Sequence, residues 1–374
     1  MDLRDSPGEA AFRDQARAWL ADNAPKDWGG REDVAAWRAW SRKLYDAGYI
    51  GLTWPEEFGG RGAPYSHQAI FLEEAARVDA PPHIGVIGLG MAGPTIIAHG
   101  TDEQKQRCLK KILTAEEVWC QGFSEPDAGS DLSSVRTRAE RRDGHYVVSG
   151  QKVWASGAGI ADWCILVTRS DPESERHKGL TYLLVDMHAK GVEVRPLTQL
   201  TGTAEFSEIF FTDVEVPVEN RLDEEGNGWA VAMTTLLHER GTLGFALAGA
   251  LEATLRKLIE LAKEQGVTDP GLRDRLAAEW IGLHGIKYSN YRSLTKLMQT
   301  GIPGPEGSGS KLWWSEANQR VTKLALEILG SNSQLTTEWQ YAQLRSRGNT
   351  IEAGTSEILR GIIAERVLGL PRSR

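Results

Sequence analysis

The hydrophobic pattern of this 374-residue chain changes twice along its length, and this change constrains the fold more than any other feature. Up to about residue 117 the apolar residues recur with helical spacing, as in Phe12, Ala16 and Leu20. Short runs rich in β-branched and aromatic residues then follow one another, separated by Gly, Asp and Ser. After residue 228 the helical period returns, with leucines at every fourth position from Leu243 to Leu255. The pattern predicts an α+β protein.

These changes place the domain boundaries at about residues 117 and 224. We expect an N-terminal helical domain over 1–117, a middle antiparallel β domain over 118–224 and a C-terminal helical domain over 225–374. The chain has no internal repeat, and its one Gly/Pro/Ser-rich stretch, at 301–310, has only the length of a loop.

Composition narrows the class of protein. With 43 Lys and Arg against 51 Asp and Glu, the net charge of −8 gives no general attraction to nucleic acid or to anionic membranes. Three cysteines without a C-x-x-C pair, and eight histidines without metal-ligand spacing, argue against disulfides and metal sites. No apolar run approaches a membrane span, and the first residues lack the apolar core of a signal peptide, so we expect a cytoplasmic protein.

Three glycines match the G-x-G-x-x-G pattern of a dinucleotide-binding turn, namely Gly88, Gly90 and Gly93. That turn requires a preceding strand and a following crossover helix, whereas this match lies within helical spacing. We therefore predict that these glycines serve helix packing or a turn.

Two segments of the β region, Phe123–Asp131 and Lys152–Gly157, combine hydroxyl groups with aromatic rings. Backbone N–H groups of the first could bind an anion, with Ser124 and Ser130 as further donors, although a plain β-turn explains its Pro, Asp and Gly equally well. Trp154 is either a core residue or a surface for a planar cofactor. The closeness of the two segments in sequence favours a flavin.

Polar groups also occur within helical surroundings. Glu239 and Arg240 lie in a strongly apolar helical pattern, where burial would raise the pKa of the carboxyl toward that of a general base; an ion pair or a solvated face is the alternative. Thr355 or Ser356 is a candidate N-cap of the last helix, whose first N–H groups either bind a carbonyl oxygen or are simply capped.

Five motifs in register carry a resemblance that covers essentially the whole chain. They are Trp54–Gly60, Ser124–Asp131, Gly150–Trp154, Phe211–Pro217 and Gly354–Arg360, and the chain closes on Leu368–Pro371. In this order they resemble the acyl-CoA dehydrogenase family. The resemblance implies a helical N-terminal domain, a middle β domain and a C-terminal four-helix bundle that hold FAD. It also implies oxidation of an acyl-CoA thioester to the trans-2-enoyl-CoA, with electrons passed to an electron-transfer flavoprotein.

The resemblance also assigns residues to the site. The backbone around Ala353 would donate to the thioester carbonyl and stabilise the enolate-like charge that develops there. Ser130 would reach the substrate side, and Arg240 would contact the substrate. The flavin would be lined by Phe123, Ser124, Gly129, Ser130, Trp154 and Ser156, with Thr355 and Glu357 near its nucleotide portion.

The catalytic base requires a choice between two glutamates. Many members of the family carry the base immediately before the Gly-Thr pair, where this chain has Ala353. A branch similar to isovaleryl-CoA dehydrogenase has alanine there and a glutamate directly before an arginine on a bundle helix, as in Glu239-Arg240. We therefore predict Glu239 as the base rather than Glu352.

The chain departs from the family pattern at two places. The arginine and phenylalanine that usually follow the first bundle helix and reach the FAD pyrophosphate of a neighbouring subunit are missing from Glu264–Pro270, and a Gln-x-x-Gly-Gly segment reads Glu327–Ser331. The lost cation would weaken FAD binding by a homodimer. We expect an oligomer, with an α2β2 assembly with an unlike subunit as one hypothesis, as in actinobacterial dehydrogenases of sterol side-chain thioesters.

The sequence leaves other functions open. An acyl-CoA oxidase that uses O2 is the nearest alternative, followed by a non-catalytic flavoprotein or a silent partner subunit of the same fold. The acyl group is not specified, although Gly241, Gly244 and Gly249 either make room for a bulky chain or permit close helix packing.

Overall fold

The computed structural model describes residues 4–26, 32–239, 243–301, 303–335 and 337–372, without the side chains of residues 239 and 243. It contains long helices at both ends of the sequence and one sheet in the middle. The strands are β1 (Trp119–Gly122), β2 (Arg138–Arg142), β3 (His145–Ser156), β4 (Trp163–Arg169), β5 (Leu180–Asp186), β6 (Val192–Leu197), β7 (Phe206–Pro217) and β8 (Arg221–Leu222). The α-helices are α1 (Pro7–Asn23), α2 (Val34–Asp46), α3 (Tyr65–Arg77), α4 (Gly93–His99), α5 (Asp102–Leu113), α6 (Gly228–Glu239), α7 (Leu243–Glu264), α8 (Pro270–Thr300), α9 (Gly307–Leu329), α10 (Glu338–Ser346) and α11 (Ser356–Ile362).

Packing divides the chain into two compact units. The helical unit combines Met1–Lys26, Ala63–Pro81 and Glu239–Arg374, and the sheet unit combines Asp27–Gly62 with Pro82–His238. The first hundred residues thus contribute segments to both units. The domain boundaries expected at about residues 117 and 224 stay predictions.

The sheet has the strand order β6-β7-β3-β2-β4-β5-β8, with β1 beside β4. Its neighbours are antiparallel except at β1 and β4, which pair in parallel, and at one parallel pair, Arg138 and Arg169, between β2 and β4. The α+β fold class is therefore correct, but the sheet is mixed rather than wholly antiparallel. The parallel pairing is available because a long connection separates β1 from β4 and lets both strands run in the same direction.

The core of the sheet unit lies along β3, β4, β5 and β7. On β3 the side chains of Tyr146 and Val148 are fully buried, as the alternation of a half-covered strand requires. β5 is buried at six successive positions from Leu180 to Val185, so it is covered on both faces. This double coverage explains why β5 reads as a continuous apolar run in the sequence.

The helical unit packs α7, α8 and α9 around a shared core that includes Leu251, Leu283 and Val321. The N-terminal helix joins this unit through charge: Arg13 on α1 donates to Glu73 and Glu74 on α3, each at 2.9 Å. No helix among the described residues is long and apolar enough to cross a membrane.

The glycine segment at 88–93 forms a turn of π-helix over Gly88–Ala92 that leads directly into α4. A Cβ on Gly93 would lie 1.9 Å from the Trp54 ring, and one on Gly88 would lie 2.9 Å from Ile112, whereas Gly90 has open space around it. The packing role predicted for this segment is confirmed, because no strand precedes it among the described residues and two of the glycines admit close neighbours.

We expect Gly93→Ala to lower the free energy of unfolding by about 1–3 kcal/mol, since the added methyl group must displace a buried tryptophan ring. Gly90→Ala is the matched control and should be neutral or slightly stabilising, because alanine favours helix and meets nothing there. Chemical denaturation of both variants and the wild type measures the difference. Equal losses in the two variants would contradict the packing argument.

His83 gives the sheet unit a pH-dependent stability. Its ring is buried, Nδ1 accepts from the Gly85 amide at 2.9 Å, and Nε2 donates to the Leu113 carbonyl at 3.2 Å. Burial lowers the pKa of His83 to about 4, and the Leu113 carbonyl opposes this only in part. The folded protein therefore keeps His83 neutral at a pH where the unfolded chain already binds a proton.

The stability contributed by neutral His83 is present above its unfolded pKa of about 6.5 and is lost as the pH falls toward 4, by roughly 3 kcal/mol in total. We expect His83→Asn to flatten the decline of unfolding free energy over this range. Gly93→Ala provides the control: it lowers stability without removing a titratable group, so it should keep the wild-type slope. Urea denaturation at several pH values measures both; an unchanged slope in His83→Asn would exclude this origin of the pH dependence.

Candidate functional site

The residues predicted to form the site fall into two groups, which are described separately. The sheet unit contains Phe123, Ser124, Gly129, Ser130, Trp154 and Ser156. The helical unit contains Ala353, Thr355 and Glu357. Glu239 is the last residue of α6, and its side chain, like the whole of Arg240 and Gly241, lies outside the described residues.

Trp154 does not belong to the core of the sheet unit. Its side chain is 59% exposed although it sits inside the 12-residue strand β3. Its φ of 62° is in the left-handed region, and the pairing of β3 with β7 shifts by one residue between Lys152 and Ala155. This β-bulge turns the indole outward, and its ring lies edge-to-face with Phe206, with ring centroids 6.1 Å apart. An exposed aromatic face held by a strained backbone is typical of a binding surface.

The loop after β1 lies directly beside this bulge. The Val153 amide donates to the Ser124 carbonyl at 2.9 Å, so the two segments that the sequence analysis paired are joined through their backbones. Phe123 is buried edge-on against Tyr182, with centroids 5.9 Å apart. The loop then turns at Glu125 and Ala128, which exchange two backbone hydrogen bonds, and leaves Gly129 and Ser130 exposed. Ser156 is half-buried and pairs with Phe206 at the end of β3.

The helical unit presents a tight turn at 353–354. Ala353 has a φ of 52° and Gly354 a φ of 92°, so two successive residues adopt the left-handed region. Thr355 then caps α11 by accepting from the Ile358 amide at 3.2 Å, which selects Thr355 over Ser356 as the N-cap. The exposed Glu357 lies in the first turn of α11, where its own backbone N–H, followed by the Thr355 side chain, lowers the pKa of its carboxyl.

A buried lysine that the sequence analysis missed holds this turn. Lys311 on α9 is 4% exposed, and its Nζ donates to the carbonyls of Asn349 at 2.7 Å and Gly354 at 2.9 Å. Nothing in its neighbourhood, a Gly/Ser-rich helix start, distinguishes Lys311 from a solvated lysine. Only the packing of α9 against the 347–354 segment reveals its role.

Glu352, the alternative base, is bound within its own turn. Its carboxylate accepts from Arg345 at 2.9 Å and from Asn349 Nδ2 at 2.7 Å. Both oxygens therefore have partners that anchor the turn. A carboxylate held in this way is suited to a structural role.

α6, the helix that ends at Glu239, is held by a polar seam of hydrogen-bonded side chains, namely Thr95, His99, Tyr182, Asp223, Thr234 and Thr235. Thr235 contacts the Tyr182 hydroxyl and the Thr95 hydroxyl, each at 3.0 Å. His99 lies one turn after Thr95 on α4 and contacts two groups: its Nδ1 is 2.7 Å from Asp223 Oδ2, and its Nε2 is 2.8 Å from the Thr234 hydroxyl. None of these residues is recognisable as a site residue in the sequence, because their partners are distant in the chain.

The charges along this seam follow from burial and hydrogen bonding. Burial opposes ionisation of Asp223, yet the Glu224 amide, His99 and Asn227 donate to its carboxylate and hold its pKa below the ordinary value. Burial lowers the pKa of His238, and the nearby His99 acts in the same direction. These two effects favour the neutral form of His238, the residue before Glu239.

The glycines of α7 serve helix packing. A Cβ on Gly244 would lie 2.6 Å from Asn290 Oδ1, and one on Gly249 would lie 2.5 Å from the Ala76 methyl group. The Asn290 amide also donates to the Gly244 carbonyl at 2.8 Å. Within the helical unit these two positions are filled, so they do not make room for a bulky acyl chain; Gly241 lies outside the described residues.

Models of the three acyl-CoA dehydrogenase domains match this chain in order. The N-terminal domain matches residues 6–116, the middle domain 120–214 and the C-terminal domain 226–368. The chain belongs to the acyl-CoA dehydrogenase family, whose members are FAD-dependent oxidoreductases. The predicted family and class of enzyme are thereby confirmed.

Individual relatives cover almost the whole chain. The acyl-CoA dehydrogenase IpdE1 of Mycobacterium tuberculosis is 43% identical over 380 residues, which is 96% of this chain and 97% of IpdE1. Among solved structures, the Tcur3481-Tcur3483 steroid ACAD superimposes with a TM-score of 0.88 at 29% identity, and the ChsE4-ChsE5 complex of M. tuberculosis with 0.86 at 30%. Both structural matches cover 100% of each chain.

Proposed function

We propose that this protein oxidises an acyl-CoA thioester to the trans-2-enoyl-CoA with FAD as cofactor and Glu239 as the base. The observation that carries the choice of base is the state of the C-terminal turn. Position 353 is an alanine, and the neighbouring Glu352 is bound by Arg345 and Asn349. The base must then come from another element, and α6 ends on a carboxylate directly before an arginine.

The residues of the sheet unit fit FAD. The exposed indole of Trp154 offers a flat apolar face, and the segment after β1 places the Ser124 backbone beside it. Gly129 has no neighbour within 4 Å of its missing side chain, so a ligand can approach the loop backbone there. We assign Phe123, Ser124, Gly129, Ser130, Trp154 and Ser156 to the flavin, and Thr355 and Glu357 to its nucleotide portion.

FAD, when bound, accepts the β-hydrogen of the acyl chain as hydride. The protein supplies the other groups that this oxidation needs. Glu239 takes the α-proton, and the polar seam of Thr235 and His99 holds the helix that ends there. The 353–354 turn, held from behind by the Lys311 ammonium group, offers backbone N–H groups to the thioester oxygen as negative charge develops on it. Ser130 and Arg240 contact the substrate in this assignment.

We expect Glu239→Gln to lower kcat by at least about 100-fold, because the α-proton then has no base, while flavin content stays at the wild-type level. Glu352→Gln is the matched control and should keep activity within a few-fold of the wild type, although the lost ion pair with Arg345 should lower its melting temperature. Steady-state turnover of an acyl-CoA panel with an artificial electron acceptor measures both. Undiminished activity in Glu239→Gln would refute the assignment.

We further propose that the substrate is a thioester with a bulky chain, such as a steroid side chain, and that an unlike subunit completes the FAD site. The support for the substrate is the relative named a steroid ACAD. The support for the partner is twofold. The segment from Glu264 to Pro270 lacks the family's arginine, and the solved relatives carry paired names, one of them described as a complex. Glu327 begins the Glu327–Ser331 segment, where the chain also departs from the family pattern, and it is paired with Arg275 of the same chain.

We therefore expect the chain expressed alone to contain far less than one FAD per subunit, and co-expression with an unlike acyl-CoA dehydrogenase subunit to restore it. Flavin absorbance of the purified protein, together with its mass in solution, measures this. Full FAD content in the chain alone would overturn the partner. Turnover with an electron-transfer flavoprotein, compared with peroxide formation in air, then identifies the electron acceptor.

A further inference from the structure

A buried ion pair lies beneath the exposed face of the sheet unit. Lys152 on β3 is 0% exposed, and its ammonium group donates to Glu125 Oε1 at 2.8 Å and to the Phe123 carbonyl at 3.0 Å. The Glu125 carboxylate also accepts from the amides of Arg136 at 2.7 Å and Thr137 at 2.8 Å. The pair is thus part of a network of four charge-assisted hydrogen bonds that closes the 123–137 loop onto β3.

Burying this ion pair costs desolvation free energy when the protein folds. Burial pushes the pKa of Lys152 down from its ordinary value, and the Glu125 carboxylate restores it only in part. Removing two charges from water consumes most of their mutual attraction, so such pairs contribute little net stability compared with apolar residues of the same size. The pair therefore needs another explanation than stability.

The position of the pair in the sheet unit gives an explanation other than stability. Lys152 is the last residue of β3 in regular pairing before the bulge, and Trp154 follows two residues later. The lysine stem passes close to Gly122, where a Cβ would lie 3.5 Å from Lys152 Cγ and 2.9 Å from Cys164 Sγ. The stem is fully buried, and its ammonium group is held by Glu125 and Phe123. The 123–124 and 153–154 segments are both attached to this one fixed point.

We propose that the Glu125–Lys152 pair is a positioning pair that holds the Phe123–Ser124 backbone and the Trp154 bulge in one register and so sets the affinity of the protein for the isoalloxazine ring. The inference rests on the FAD site of the proposed function. Without the pair the Phe123 carbonyl loses its donor and the bulge loses its anchor. The hydrogen bond from Val153 to Ser124 is then too weak alone to hold the two segments, and the indole no longer has one defined orientation.

A double substitution separates positioning from stability. Glu125→Gln or Lys152→Met alone leaves one buried charge without its partner, so each should lower the melting temperature and weaken FAD binding. The combination of both removes the two charges together, so it should recover most of the thermal stability. It should still bind FAD about tenfold more weakly, comparable to the loss of one hydrogen bond to a charged group.

The control is an ion pair of the same type on the neighbouring strand β2. Arg142 is exposed and Glu140 half-buried, and the two are joined at 3.1 Å. On β3 they lie opposite His145 and Val147 rather than residues 152–154. Glu140→Gln combined with Arg142→Met should leave FAD affinity within about twofold of the wild type. Affinity is measured by titrating the deflavinated protein, in the FAD-binding assembly established for the wild type, with FAD.

A second readout does not depend on FAD. Hydrogen exchange of the deflavinated double variant should accelerate in peptides covering 123–128 and 152–156 and should stay unchanged in β4 and β5. The proposal is overturned if the double variant binds FAD like the wild type or shows wild-type exchange at those peptides. If the double variant does not fold, Glu125→Asp decides the question: its shorter carboxylate keeps the charge but not the reach to all three donors, and wild-type FAD affinity in this variant would refute the proposal.

These outcomes are distinct from failure of the proposed function. A wild-type protein that binds no FAD in any assembly would refute the cofactor itself. A wild type that binds FAD together with a double variant that binds it equally well would refute only the positioning pair.

Discussion

The interruption of strand pairing between β3 and β7 is the constraint on which the exposed face of the sheet unit depends. Two 12-residue strands pair over most of their length, and one extra residue on β3 between Lys152 and Ala155 changes which side of the sheet the following residues occupy. Because side chains alternate along a strand, a slip of one residue reverses their faces. The bulge is the reason that a tryptophan within an apolar strand is found in solvent.

Two buried charged side chains, Lys152 and Glu125, lie next to the bulge and hold it. The Lys152 side chain is fully buried, and the Glu125 carboxylate accepts hydrogen bonds from two backbone amides of the following loop. The helical unit repeats this arrangement with another lysine. Lys311 lies in the interior and donates to carbonyls on either side of the left-handed Ala353. In both units a buried ammonium group fixes a strained backbone segment close to predicted ligand contacts.

The departures from the family pattern also concern charged side chains close to predicted ligand contacts. Position 353 has no carboxylate, and Glu352 serves its own turn, so the C-terminal segment contributes backbone geometry and a helix start. The turn that begins at Glu264 carries no arginine, and Glu327 is neutralised by Arg275 within the same helix pair. These features are the reason that we propose the base on α6, and the turn offers no cation of its own for a diphosphate.

Much of this protein was readable from sequence because the signals are local. Helical spacing, β-rich runs and the glycine segment at 88–93 each reflect contacts within a few residues or a single packing face, and the order of five motifs identified the family. The 123–131 and 152–157 segments stood out by their hydroxyl and aromatic residues, and the fold joins them through the hydrogen bond from Val153 to Ser124. The ion pairs of Arg13 with Glu73 and Glu74, which are 60 and 61 residues away in sequence, have no such local signal.

What only the tertiary structure decided is where charged and polar groups become buried. Lys152 and Lys311 look like solvated lysines in sequence, and His99 and Asp223 stand more than a hundred residues apart. Their roles arise from partners brought together by folding, and a buried charge is stable only where such partners exist. Sequence periodicity reports which residues leave water, but it does not report which hydrogen-bonding group each of them meets there.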